Sequence, residues 1–246
     1  MFRLNPFKIL RERLGAAVGV FAISFLCCVI GALMTFVFAP GQAVQAFRIS
    51  RLPSMDQETF NSSSVGDTVL VTGELQGDHV QTGVPDFIAY KGERWVVTVP
   101  EPDEDGTVTP YGRWNSIPSV TLELTVVING QSLVLQPAEN IVLGGNLHEL
   151  VVPGDSELSA ESEGQSFSDG TIRYHGFVDG DLVTVYGKKS ANDGIDPDHL
   201  YAGDRTAFEE SQRQAASGLL YSGICMFILA PIVLVGGLLV VVFKRR

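Results

Sequence analysis

The sequence predicts a membrane protein in which two transmembrane α-helices flank a mainly-β soluble domain, built as a partly open barrel or sandwich. Three observations predict it. Two blocks free of Asp, Glu, Lys, Arg and His, Leu14–Phe38 and Ala215–Phe243, lie towards the ends of the 246-residue chain. Almost all the acid, 27 of 28 carboxylate side chains, falls between them. The middle is cut into short β-branched runs by Gly, Asn and Asp, with no long stretch of helical period. A hydrophobic fraction of 45% and a mean hydropathy of +0.20 are high for a soluble domain of this size. Together these features exclude a simple soluble enzyme, an acidic disordered chain and a nucleic-acid binder with a broad basic face. Three cysteines are too few for a disulfide framework.

The first block has 25 residues. About 20 apolar residues at ~1.5 Å each cross a bilayer core of ~30 Å, so this block spans with some tilt. A cleavable signal peptide is the alternative, with Arg3, Lys8, Arg11 and Arg13 as its basic region and small residues at Ala43-Val44-Gln45-Ala46. Its apolar core would normally be about 7–15 residues, so the length favours an uncleaved span over 14–38. The second block has 29 residues, with Pro231 near its middle and Gly236-Gly237 after it, residues that membrane helices tolerate. Seven cations flank the outer ends of the spans (residues 1–13 and 244–246). Four lie near their inner ends: Arg48, Arg51, Arg205 and Arg213. The excess places both termini in the cytoplasm and residues 39–214 outside, in a plasma or inner membrane.

That central domain holds 10 basic and 27 acidic residues, a net charge of −17. It is repelled by anionic headgroups and nucleic acid, so the expected partners are the bilayer and a membrane or envelope protein. Solubility alone accounts for the charge, with a cationic partner or divalent counter-ions as alternatives. Cys27, Cys28 and Cys225 all fall inside the spans and read as small packing residues.

Within the domain, 68–72, 94–99, 120–128, 131–135, 171–175 and 182–186 read as strands, and Asn129-Gly130 marks a tight hairpin. One echo stands out: Gly66-Asp-Thr-Val-Leu-Val-Thr-Gly73 and Gly180-Asp-Leu-Val-Thr-Val-Tyr-Gly187 share the pattern G-D-x-V-x-V-x-G. It describes a turn, a strand with Val on one face and a closing Gly where the strand bends. Such pieces open strands of small barrels of the oligonucleotide-binding type. They fit two related β units, two equivalent strands of one sheet, or coincidence among Val- and Gly-rich strands. The stretches 101–106 and 154–170 are too polar to bury much and read as loops. Residues 207–214 are helix-prone and lead into the second span.

Chemistry is sparsely signalled. His79, His148, His175 and His199 have no metal-ligand spacing, and no nucleophile elbow, phosphate loop or dinucleotide fingerprint occurs. No catalytic, cofactor-binding or metal residue is assigned, and no cofactor is expected. An unmotifed enzyme would draw on His148, His175, Asp181 and the Asp193, Asp196, Asp198 and Asp204 cluster. That cluster alternatively binds divalent cations or consists of solvated turns. Phe87, Tyr90, Trp95, Tyr111, Trp114 and Tyr174 either line a groove or fill a core. Gly15-Ala-Ala-Val-Gly19 offers a small-residue face for packing the spans or dimerising them.

Several segments carry a family likeness: Val69–Leu75, Pro85–Tyr90 followed by Trp95, Tyr174–Gly187, and Phe208–Gln214 leading into the span. With the two spans they resemble the GIDE family, the beside-a-membrane (BAM) domain of mitochondrial ubiquitin ligases and their bacterial relatives, over roughly residues 50–240. The ligases carry a RING finger after the second span. A RING needs about eight Cys/His zinc ligands, and this sequence ends three residues past Phe243 with its cysteines inside the spans. Ligase activity is therefore not expected. The sequence reads as a non-catalytic binding, sensing or scaffold module on two membrane anchors, with an unmotifed membrane-anchored enzyme or a structural envelope protein binding divalent cations as the alternatives.

Overall fold

A computed structural model describes residues 6–53, 55–77, 87–102, 105–106, 108–121, 123–137 and 141–243. The chain forms two compact units. One comprises Met1–Arg51 with Glu209–Arg246, and the other comprises Leu52–Phe208.

The first unit is helical. Helix α1 (Pro6–Leu33) passes through a π-helical turn (Met34–Phe38) into α2 (Ala39–Arg51), and α4 (Arg205–Phe243) supplies the second arm. Ala17–Arg51 and Arg205–Gly237 are long and apolar enough to cross a bilayer. The span read at 14–38 thus lies within a longer helix, and 39–51 is helical rather than part of the β domain. The π turn has a local cause. Pro40 has no N–H to give and its ring crowds the preceding turn, and Ala39 N–H bonds Met34 O across the widened loop. The two arms touch at glycines. A Cβ on Gly31 would lie 2.9 Å from Gly223 O, and one on Gly237 would strike Val20. Gly15 and Gly19 have no neighbour within 4 Å of where a Cβ would stand. Of the two roles read for the Gly15–Gly19 face, packing of the spans is thus taken by Gly31, Gly223 and Gly237 instead.

The second unit is mainly β. A short helix α3 (Gln57–Ser62) is capped at its start by Asp56, whose carboxylate accepts from Thr59 N at 2.9 Å and Thr59 Oγ1 at 2.7 Å. Twelve strands follow among the described residues: β1 (Thr68–Gly77), β2 (Ala89–Thr98), β3 (Tyr111–Thr121), β4 (Leu124–Ile128), β5 (Gln131–Leu135), β6 (Val142–Gly145), β7 (His148–Val152), β8 (Ser159–Ser162), β9 (Gln165–Ser168), β10 (Ile172–Phe177), β11 (Leu182–Lys189) and β12 (Ile195–Ala202). One sheet has the order β11-β1-β4-β5-β12-β6, with a further pairing of β11 to β12. A second has the order β3-β2-β10-β7, and β8–β9 is a separate hairpin. The main core gathers Phe60, Val69, Val71, Leu75, Ile88, Leu124, Val126, Phe177, Val183, Val185, Ile195 and Leu200.

The echoed segments are β1 and β11, paired with each other. Val71 stands opposite Val185, Val69 opposite Gly187 and Gly73 opposite Val183. Each residue thus faces the counterpart of its mirror position, which defines a local twofold axis through Val71 and Val185. The turns obey it too. Asp67 Oδ2 accepts from Ser64 N at 2.7 Å and Asp181 Oδ2 from Val178 N at 2.9 Å. Gly66 N donates to Lys189 O at 2.8 Å, and Gly180 N donates to Leu75 O at 2.8 Å. Gly66 and Gly180 have φ of +88° and +86°, which explains the first glycine of the pattern. The last glycine is set by crowding: a Cβ on Gly73 would overlap Val127 O of β4, and one on Gly187 would overlap Asp196 O of β12. The echo is two equivalent strands of one sheet.

Asn129-Gly130 makes the expected hairpin between β4 and β5, with φ of +50° and +85°. Other readings need revising. The segment read as a loop at 154–170 contains β8 and β9, turned at Glu163-Gly164, because Ala160 is buried and Phe167 packs on Trp95 and Trp114. The Asp196-Pro197-Asp198 run is strand β12 rather than a turn. Ile195, Pro197 and Leu200 are buried while Asp196 and Asp198 face out, and Pro197 sits beside a register shift where its missing N–H is tolerated.

Candidate functional site

A cleft of about 640 Å³ opens in the β unit. One wall is sheet β3-β2-β10-β7, contributing Lys91, Glu93, Ser116, Ser119 and His175. The other is β6 with its flanking residues, from Ile141 to Leu147. The register explains which side chains enter. His175 of β10 stands between Lys91 of β2 and Glu149 of β7, so these three project from one face. Along that face Ala89 and Phe177 enter the main core, Lys91 and His175 line the cleft, and Glu93 pairs with Arg173 at 2.7 Å. Beyond them Trp95, Trp114 and Phe167 cluster with ring centroids 5.0–5.7 Å apart, and the Arg173 guanidinium lies 4.5 Å over the Trp114 ring. The cleft is thus an opening between two packed ends of one face.

Among the described residues the second wall is the edge strand of its sheet, paired in parallel with β12 alone. Lys91 Nζ donates to Leu143 O at 3.1 Å, so the side of β6 away from β12 faces the cleft. Lys91 and His175 supply donors, Glu93 an acceptor, and Ser116, Ser119 and Asn146 both, around apolar Ile117, Ile141 and Leu147. This inventory suits reversible recognition of a polar or peptidic ligand.

Of the sequence-derived candidates the structure brings together His148 and Asp181, with His148 Nε2 and Asp181 Oδ1 3.1 Å apart, but not the rest. However, His148 stands opposite Gly176, one residue from His175, so the two histidines project from opposite faces of the sheet. Asp181 is held by its turn through Val178 N, and no hydroxyl or thiol bonds His148 among the described residues. The acidic cluster is dispersed. Asp193 is 87% exposed and 3.7 Å from Lys189, Asp196 and Asp198 point out from β12, and Asp204 caps α4 by accepting from Ala207 N at 2.8 Å. Among the described residues no three His, Cys, Asp or Glu groups are placed to hold a metal ion. His79 lies outside the described residues, as do parts of the 101–106 turn. His199 packs against Tyr186 and Phe208, and burial holds its pKa below the usual 6.5, against a smaller opposite pull from Asp198. Phe87, Tyr90 and Tyr174 form a small core on the face opposite Trp95, and burial raises the Tyr174 phenol. These aromatics fill cores, and Tyr111 is exposed.

Sequence reasoning passed over Lys91, because a lone lysine in a strand carries no motif. It also passed over Lys189, a buried cation only 4% exposed. Its ammonium donates to Phe60 O at 2.9 Å, Asn61 O at 3.2 Å and Ser63 O at 3.0 Å, closing the C-terminal end of α3. Compared with family models, curated proteins and solved structures, the chain matches none.

Proposed function

We propose that this is a two-pass membrane protein whose β unit is a non-catalytic binding module, with the Lys91–His175 cleft as its ligand site. The observation that carries the reading is the cleft itself: polar groups from two walls converge on it, one of them an edge strand. An edge strand favours a partner that offers extended backbone, such as a segment of a neighbouring membrane or envelope protein. The dispersed His, Asp and Ser groups favour binding over catalysis.

Two finer readings accompany it. The strands β1, β4, β5, β11 and β12, counted one to five, pair in the ring order 1-2-3-5-4 with three and five parallel. That order supports a five-stranded barrel of the oligonucleotide-binding type. A fold does not carry its ligand with it, and the net charge of −17 over residues 39–214 argues against nucleic acid. The GIDE-like reading is supported only by the order of elements: helix, β unit, and a last helix that starts before the second apolar block.

The test is site-specific photo-crosslinking in cells from Ser116 and Ser119 in the cleft, with Asp198 on the outer face of β12 as control. The expected result is one discrete membrane-protein adduct from the cleft positions, lost in Lys91→Glu. The same adducts from all three positions, or none from the cleft, would sink the binding reading. For topology, single cysteines at Ser64 and Ser162 in a cysteine-free background should react with an impermeant reagent on intact cells. Protection until lysis would invert the orientation.

A further inference from the structure

We infer that the groove between the two apolar helices is a binding site for one anionic glycerophospholipid, an inference that rests on the membrane-spanning reading above. The groove lies within the helical unit and holds about 510 Å³, in the ~300–1,000 Å³ range of small-molecule sites. Its walls are small. Ala39, Ala43 and Ala46 recur at helical spacing on α2, facing Ala216, Ser217 and Leu220 of α4. Ser50 Oγ and Ser217 Oγ donate to Phe47 O at 2.9 Å and Gln214 O at 3.1 Å, so these hydroxyls are turned onto their own helices. What remains is apolar apart from the Arg213 guanidinium, because Thr35 Oγ1 is buried in the π turn beside Gly223. π turns often mark functional sites.

Charge and depth together select the occupant. Thr35 and Leu220 lie well inside the charge-free stretches, whereas Ser50 and Arg213 stand among the first charges beyond them, with Phe47 directly before Arg48. The groove therefore runs from the hydrocarbon to the headgroup level. Its upper end is cationic. Arg213 lines it, 60% exposed and 3.8 Å from the Glu209 carboxylate, a loose pair that leaves guanidinium donors for a phosphate. Arg51 stacks 4.9 Å over the ring of Phe47, another lining residue, and Arg48 shares the last turn of α2. An acyl chain below and a negative headgroup above match this arrangement. Glu209 and Glu210 lie one turn from Arg213, so Arg48, Arg51 and Arg213 leave a small excess of positive charge at this level within an acidic stretch.

The test uses the full chain. Flotation with phosphatidylcholine vesicles first checks the membrane reading, since a chain that stays at the bottom defeats that reading and the inference with it. The detergent-purified chain is then titrated with dioleoyl-phosphatidylglycerol or dioleoyl-phosphatidylcholine and weighed by native mass spectrometry. The expected result is one phosphatidylglycerol adduct per chain, in preference to phosphatidylcholine. Ala43→Phe should abolish it by filling the groove, and Arg213→Gln should weaken it about fivefold, the usual effect of one cation at an anionic surface. Tryptophan emission from the β unit should be unchanged in both. Equal adducts from both lipids, or retention in Ala43→Phe, would overturn the inference while leaving the membrane reading standing. So would a lipid-free complex of twice the chain mass, which would make a second copy the occupant.

Discussion

Replacing Lys189 by Met tests how the β unit is held together. The side chain is 4% exposed, and its ammonium serves the carbonyls of Phe60, Asn61 and Ser63 while lying 4.9 Å over the Phe60 ring. Met keeps the stem and removes the donors. The Phe60 carbonyl keeps Ser63 N and Oγ as donors, and the Asn61 and Ser63 carbonyls are part-buried, so each lost bond costs about 1 kcal/mol. Against this, the wild type bears a desolvation penalty of several kcal/mol for the buried ammonium, which Met relieves. The 3.7 Å approach to Asp193 adds little, because that carboxylate is 87% exposed. The balance is a loss of about 1–2 kcal/mol, because the charge leaves with its donors and no uncompensated charge stays buried. For a unit of this size that lowers the melting temperature by about 2–8 °C. Both tryptophans of the chain, Trp95 and Trp114, lie in the β unit, so their emission follows its unfolding alone in the detergent-solubilised chain. Lys188→Met, at the exposed neighbour, is the control and should stay within about 0.5 kcal/mol. If both variants melt with the wild type, the ammonium is not what closes α3.

Three further outcomes are expected. Gly73→Ala and Gly187→Ala, at equivalent places about the local axis, each put a methyl on a neighbouring strand's carbonyl, and urea denaturation should show about 1–3 kcal/mol lost in both. His199 has its pKa lowered in the fold, so below the unfolded value near 6.5 the unfolded state binds the extra proton. Stability of the β unit should thus be full above that value and fall as the pH drops through it towards the lower folded value, and His199→Gln should flatten this part of the profile. Asp204→Ala removes the cap of α4 and should cost about 1 kcal/mol, read as faster amide exchange over the first helical turn from Arg205; unchanged exchange would show that the turn is held by packing instead.

The elements legible in the sequence are those whose signal is local. The charge-free blocks, Asn129-Gly130 and the Val-rich strands each declare themselves within a short window. Strand β12 does not, because Asp196-Pro197-Asp198 has turn chemistry and its partners β11, β5 and β6 make it a strand. The β8–β9 hairpin does not either, since it is ordered by Phe167 reaching a tryptophan pair formed by β2 and β3. The site is half legible. The sequence singles out His175, but with His148 as companion. The register across β7 and β10 puts that residue on the other face and supplies Lys91 instead. Register of this kind depends on which strands meet, and no run of residues states it.

The twofold relation between β1 and β11 has a consequence for the chain before it folds. A strand whose mate is its own near-copy also complements itself, so β1 of one molecule finds a matching ladder in β1 of another, Val71 against Val71 and Val69 against Gly73. Several pairs differ between the two outcomes, among them Leu70 with Tyr186 and Thr68 with Lys188, and one of them carries a side-chain hydrogen bond. Within a chain Thr72 meets Thr184, with their hydroxyl oxygens 3.0 Å apart. Between copies Thr72 would meet Leu70, and that bond would be gone. The threonine pair and the changed neighbours on either side of it thus bias the ribbon towards folding within one chain, while the shared valines keep strand exchange between crowded, newly made copies within reach.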